Sequence, residues 1–250
     1  MREKIVICMP VKNAENTLHK AISSVINQKD TNREVMLLIG NDNSNDNSLN
    51  IINEFLPNIK IKILNLNFGK VYSVRNFLNQ YARENISNCV LIGRLDADDV
   101  LIDEYVISKI EHIFEKYNFD VLMCGNMQSK NNEVLEWENK PSQKLLDNDF
   151  LLHQLKEMSE GNPKAELPSC NTFIKPNIKI DYPNKTSAED HWFSIFLLLQ
   201  KDKFNIYIDE EFLYCIYSLD GFQTSDNQKV DVYIQSRVEL YHYFQNELAK

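Results

Sequence analysis

The chain has 250 residues, 43% of them hydrophobic and 25% charged, with a formal net charge of −9. That length buries a full core, as one large α/β domain or two small ones, and the balance excludes a disordered chain. Residues 1–100 carry 12 Lys+Arg against 11 Asp+Glu and residues 101–250 carry 15 against 25, so no basic stripe offers a broad nucleic-acid surface.

The opening stretch, "MREKIVICMPVKNAENT", has an apolar run broken by Pro10 and Lys12, too short for a signal peptide, and no stretch approaches 18 apolar residues. Strand-length runs rich in Val, Ile and Leu follow at 4–9, 34–39, 61–64, 89–92 and 120–124. Between the first two, Leu18, Ala21, Ile22, Val25 and Ile26 recur at helical spacing. Similar faces appear at Ile51, Ile52 and Phe55, at Val71, Val74 and Leu78, and at Val106, Ile110, Ile113 and Phe114. This alternation predicts βαβ units and a mostly parallel sheet with helices on both faces. Ligands of such sheets bind at the carboxyl ends of the strands.

Residues 126–166 are polar, with a short helix expected at "DFLLHQL", and read as an insertion rather than a second domain. The pattern resumes with a strand at 169–174, a helix over 187–200, strands at 204–208 and 211–217, and an amphipathic C-terminal helix. Its Tyr233, Tyr241, Tyr243 and Phe244 are expected to pack inward. A single domain is predicted over 1–250, with a ligand-binding half at 1–125 and a second half at 126–250. The five cysteines form no CxxC pair and mostly sit in apolar runs, which predicts buried reduced thiols and a cytoplasmic chain.

The loops at the strand ends carry the candidate chemistry. Neither GxGxxG nor GxxxxGK followed by Ser or Thr occurs, and the loop after the first strand, "CMPVKNAENT", has no glycine. A phosphorylated ligand would need another source of neutralisation. "GRLDADD" supplies one: Asp96 and Asp98 share a face in extended geometry, and hard oxygen donors suit Mg²⁺ or Mn²⁺. Asp99 is the alternative, a cap for the following helix. In "GNDNSNDNS", Asp42 sits at a carboxyl edge, where it would accept N–H bonds from a uracil-like base or act as a plain turn residue, and Asp46 suits a helix cap. "NFGKVYSVRN" brings Arg75 to the same edge, as a fixed cation or in a surface ion pair. Asp190 in "SAEDHWF" is a carboxylate at a helix start, fit to act as a base or simply to complement the helix dipole with Glu189.

Taken in order, "MPVKNAENTLHKAISSVINQ", "GNDNSNDNS", "NFGKVYSVRN", "RLDADD" and "AED" resemble glycosyltransferase family 2. The resemblance covers about residues 4–125 and returns at 187–200. It implies a GT-A (Rossmann-like) α/β fold and inverting transfer from a nucleotide-sugar donor, expected to be UDP-linked, to a saccharide or other hydroxyl acceptor in surface polysaccharide synthesis. It also leaves room for peripheral membrane association. By resemblance, Pro10, Val11 and Asp42 lie at the nucleobase, Arg75 beside the nucleotide, and Asp96 on the ribose and diphosphate side. Asp98 would ligate a divalent cation, Mn²⁺ or Mg²⁺, and Asp190 would be the general base.

Three features depart from the family pattern. The interval from Gly69 to Arg75 is one residue longer than usual. "YCIYSLDGF" has Tyr217 where relatives place a histidine metal ligand, so either the metal has one protein ligand fewer or another group such as His191 serves. Arg94 stands where relatives usually have an apolar or aromatic residue. Two rival readings accompany the resemblance. "DADDV" also fits the nucleophile motif of haloacid-dehalogenase-like phosphatases, and a non-catalytic nucleotide-sugar-binding protein would keep the same packing pattern.

Overall fold

The computed structural model describes residues 2–58, 60–131, 133–162, 167–168, 171–185, 187–220 and 230–250. Its centre is β1 (Lys4–Val11), whose unbroken apolar run is covered on both sides. Ile5, Ile7, Met9 and Val11 enter one hydrophobic core, and Val6 and Cys8 enter the other. β2 (Glu34–Asp42), β3 (Ile61–Leu66) and β4 (Cys89–Arg94) join it in the order β3-β2-β1-β4, all parallel. Their carboxyl ends therefore open on the same edge.

The helices divide between the two faces as their apolar stripes dictate. α1 (Leu18–Ile26), α2 (Ser48–Phe55) and α4 (Val106–Tyr117) cover the first core through Leu18, Ile22, Ile52, Ile107 and Ile110. α3 (Val71–Asn85) covers the second through Val74, Leu78 and Ala82. α5 (Asn148–Ser159), α6 (Glu189–Leu198) and α7 (Val230–Leu248) share that second face, contributing Leu155, Phe193, Ile195, Leu240 and Phe244. In α7 Phe244 is buried as expected, and the Tyr243 ring lies 5.0 Å from Trp192.

Beyond β4 the sheet becomes mixed. β8 (Thr172–Ile174) runs antiparallel between β4 and β6 (Val121–Lys130), β9 (Ile206–Ser218) is parallel to β6, and β5 (Val100–Leu101) is antiparallel to β9. β7 (Glu133–Asn139) forms a hairpin with β6, so the first part of the expected insertion extends the sheet. The two strands expected at 204–208 and 211–217 are one strand, β9. Asp209 makes the acidic "DEE" a local bend, its Oδ1 accepting from the N–H groups of Glu211 and Phe212 at 3.1 and 3.0 Å. Cys8, Cys124 and Cys215 are buried thiols and Cys89 is partly buried. Cys170, with the start of the 169–174 run, and the Gly221–Phe222 end of "YCIYSLDGF" lie outside the described residues. Among the described residues no helix is long and apolar enough to cross a membrane.

One glycine is required by close packing at the site-bearing strand. Phe173 of β8 lays its ring against Gly93 of β4, and a Cβ there would collide with Cε1, Cδ1 and Cζ of that ring. Gly93→Ala is therefore expected to lower stability by about 1–3 kcal/mol through overpacking, seen as a lower denaturant midpoint at unchanged slope. An unshifted midpoint would show that Phe173 can swing aside freely.

Candidate active site

The loops that leave the parallel strands lack a glycine cradle and are braced instead by side chains. The loop after β1 and the loop after β2 bond each other reciprocally. The N–H groups of Asn13, Ala14 and Glu15 donate to Ser44 Oγ, Ser48 Oγ and Asp46 Oδ2 at 3.1, 2.8 and 3.0 Å. In return Asn45 and Asn47 donate to Asn13 Oδ1 and Glu15 Oε2, both at 2.9 Å. Asp46 also accepts from the Ser48 N–H at 3.0 Å, an Asx turn just ahead of α2 rather than a cap, since the N-cap position is Asn47. The Asn/Asp/Ser-rich run is thus what fixes the edge of the sheet.

Asp42 ends β2 and is 3% exposed. Its two oxygens accept from the N–H groups of Phe68 (2.5 Å) and Gly69 (2.9 Å), and Lys12 Nζ lies 3.7 Å away. Gly69 has φ of +69°, a left-handed conformation that favours glycine. Asp42 therefore holds the β3–α3 loop closed, and each of its oxygens keeps a second acceptor position. Pro10 and Val11 lie beside Gly40 and Asn41 at the same edge. The Val11 side chain is buried in the first core, so its backbone is what the edge presents.

The centre of the site is a cluster of paired charges where β4, α3 and α6 meet. Arg75 is 7% exposed, not a helix-surface residue, and donates to Glu189 Oε1 at 2.5 Å and Asp96 Oδ2 at 3.0 Å. Arg94 donates to the same Asp96 oxygen at 3.1 Å and stands 3.8 Å from Asp190 Oδ2. Both guanidiniums lie over Tyr182, 5.5 and 5.8 Å from its ring centroid, and Tyr182 stacks on Phe193 at 4.1 Å. Asp190 Oδ1 accepts the His191 N–H at 2.9 Å. The first turn of α6 is aimed by Ala188, whose φ of 58° is rare for a residue with a Cβ. Successive helical residues diverge, so Glu189 is tied to Arg75 at 11% side-chain exposure while Asp190 is more open at 19%.

The structure therefore brings Arg75, Asp96 and Asp190 together, with Asp98 two positions past Asp96, and places Pro10, Val11 and Asp42 along the same edge. The longer Gly69–Arg75 interval does not displace Arg75 from the cluster. Three members were not assigned a site role from sequence: Arg94, Glu189 and Tyr182. Arg94 stood out as a departure and Glu189 lies within the quoted "AED", whereas Tyr182 gave no signal. Asp99 is not a helix cap. It is 1% exposed, accepts the Ser218 N–H at 2.8 Å, and so ties the aspartate turn to the end of β9, whereas α4 begins only at Val106.

Burial, and then the charge of Asp96, push the Asp98 carboxyl up to about 6. Burial also acts to raise Asp190, but His191, Arg94 and Arg75 outweigh it and hold that carboxyl at about 2. Burial and Arg94 pull the Arg75 guanidinium down, and Asp96 and Glu189 more than compensate, leaving it above its ordinary value.

A divalent cation fits the Asp96–Asp98 pair. Among the described residues Asp96 Oδ1 is buried with no hydrogen-bond partner, and Asp98 is a carboxylate whose charge burial and Asp96 disfavour. Among the described residues no group of three or more His, Cys, Asp or Glu side chains forms an all-protein site. Mg²⁺ and Mn²⁺ suit the pair, because such ions are commonly held by one or two carboxylates with ligand phosphates and water. Asp98 keeps its proton up to about pH 6, so protons compete with the cation below that value. Mn²⁺ affinity, followed by titration calorimetry, should be level above about pH 7 and fall by up to about tenfold per pH unit below 6. A level affinity down to pH 5 would exclude Asp98 as a ligand.

Comparison with known proteins gives a consistent set of likenesses. The profile of the family described as Glycosyl transferase family 2 matches residues 6–178. The poly(ribitol-phosphate) beta-N-acetylglucosaminyltransferase TarP of Staphylococcus aureus (strain N315) is 26% identical over 238 residues, covering 92% of this chain and 67% of that protein. The poly(ribitol-phosphate) beta-glucosyltransferase of Bacillus spizizenii is 25% identical over 221 residues, 85% of this chain and 32% of its own length. Among solved structures, S. aureus TarS 1–349 in complex with UDP-GlcNAc superposes with a TM-score of 0.70 at 17% identity, covering 96% of this chain and 66% of that one. The chain thus spans between a third and two thirds of these proteins.

Proposed function

The chain belongs to glycosyltransferase family 2 and has the GT-A fold, and from that premise we propose that it transfers a sugar from a UDP-sugar to a hydroxyl of a cell-surface glycopolymer, with inversion. The observation that carries the reading is the meeting of Asp96 and Asp190 around two buried guanidiniums, with Asp98 two positions past Asp96, at the carboxyl edge of the parallel strands. The names of the relatives supply the substrate class: two act on poly(ribitol-phosphate), and TarS binds UDP-GlcNAc. A phosphatase reading of "DADDV" has no support left once the family is assigned. A cytoplasmic location accords with a nucleotide-sugar donor.

Each residue then has a task. The edge formed by Pro10, Val11 and Asp42 receives the nucleobase. Arg75 anchors Asp96 and Glu189, so the donor-side carboxylate is fixed before any ligand arrives. Asp98, with Asp96 beside it, would hold a divalent cation, which offsets the charge that develops on the departing nucleoside diphosphate. Asp190 takes the proton of the acceptor hydroxyl as its oxygen bonds to the anomeric carbon and the carbon–phosphate oxygen bond breaks on the opposite face. Held at about 2, Asp190 stays ionised throughout the neutral range, so the unprotonated form the step requires is present at every neutral pH.

Release of UDP from a panel of nucleotide sugars in Mn²⁺, Mg²⁺ or EDTA, with polyol-phosphate polymers as acceptors, tests the reading. One UDP-sugar should be consumed, with a cation requirement. Asp190→Asn should cut turnover by about 10²–10⁴-fold while UDP affinity stays within a few-fold. Equal turnover in that variant would remove Asp190 from the chemistry. UDP binding without any turnover of a donor would instead support the non-catalytic binding protein.

A further inference from the structure

Resting on the transfer reading above, we propose that Arg94 is a positioning residue for the transfer step, fixing Asp190 through a guanidinium that Asp96 and Tyr182 hold in place. Arg94 is the last residue of β4, and strand alternation puts it on the same face as Ile92, which packs in the second core. That face is the one α3 and α6 cover, so an arginine there has to run into the junction between them. It ends at Asp96 Oδ2, 3.1 Å away, and Asp190 Oδ2, 3.8 Å away, with the Tyr182 ring at 5.8 Å. The guanidinium is 6% exposed, so its position is set by these partners rather than by solvent.

The geometry distinguishes the two arginines. Arg75 pairs with Asp96 and Glu189, both without a role as base. Arg94 pairs with Asp96 and with Asp190, linking the donor-side carboxylate after β4 to the base of α6, 94 positions apart in the chain. Among the described residues, Asp190 is oriented by the His191 N–H on Oδ1 and by Arg94 on Oδ2. Without Arg94, Arg75 would be the one arginine left in the cluster, paired with Asp96 and Glu189, and Asp190 would lose the partner that orients its Oδ2. An apolar residue at position 94 would fill the space but could not orient the base. Misplacing a reacting group by about 1 Å can cost on the order of 10²-fold in rate.

The experiment compares Arg94→Lys and Arg94→Met with the unmodified protein, using UDP-GlcNAc and the other donors of the panel for turnover and UDP with Mn²⁺ for affinity. Arg94→Lys keeps the charge without the planar fork, and it serves if Arg94→Met does not fold. Turnover of Arg94→Lys should fall by about tenfold or more while UDP affinity stays within about threefold. Added to Asp190→Asn, it should cause no further loss, because a residue acting through Asp190 has nothing left to position. Unchanged turnover, a loss that multiplies with that of Asp190→Asn, or UDP affinity falling in step with turnover would each overturn the assignment. Silence of the unmodified protein on every donor would count against the proposed function itself.

Discussion

Two guanidiniums buried among three carboxylates hold this site together, and most of its other features follow from that constraint. A buried ion is tolerated only when its partners are close and its hydrogen bonds are made, and removing one partner strands the others. Arg75 and Arg94 come from α3 and β4, Glu189 and Asp190 from α6, and Asp96 from the turn after β4. Pairing across these elements fixes the helix starts relative to the strand ends without any ligand. Asp96 and Asp190 are thereby held in place from two different elements. Asp98 is the exception: burial, and then the charge of Asp96, outweigh the two arginines and push its carboxyl up to about 6.

The rest of the edge solves a different problem, that of holding loops open to a ligand without a glycine-rich turn. Side-chain acceptors do this work from both directions. Ser44, Asp46 and Ser48 take N–H groups from the loop after β1, while Asn13 and Glu15 take N–H groups from the loop after β2. Asp42 closes the third loop through Phe68 and Gly69. The backbone donors that a glycine cradle would aim at phosphate are thus largely spent within the protein. Under the proposed transfer, neutralising a diphosphate would fall to charged side chains and a cation at the two carboxylates after β4.

What could be read from the sequence follows from how local each signal is. β1, β2, β4 and the start of β6 were legible because strands buried on both faces are nearly continuously apolar, the edge strand β3 because Ile61, Ile63 and Leu64 still cluster, and α1 to α4 because one face of each must be apolar. Asp42, Arg75, Asp96, Asp98 and Asp190 were legible because each sits in a short motif at a strand or helix end. Arg94 could be seen but not explained, since its partner Asp190 is far along the chain and only the fold unites them. Tyr182 lies in an irregular segment without periodicity, so nothing marked it as the ring beneath both arginines. Glu189 resembled any first-turn acid until Arg75 was seen to reach it. The single strand β9 was read as two because Asp209–Glu211 looks like a turn, whereas Asp209 absorbs the bend within the strand.

The central claim is that the aspartates after β4 hold a nucleoside diphosphate through a divalent cation. Titration calorimetry with UDP, run in Mn²⁺ and in EDTA on the unmodified protein and on Asp98→Ala, tests it most directly. The account predicts tight UDP binding in Mn²⁺, weakened by about tenfold or more in EDTA and to a similar degree by Asp98→Ala, with the two losses not adding. UDP affinity that is the same in all four conditions would contradict it.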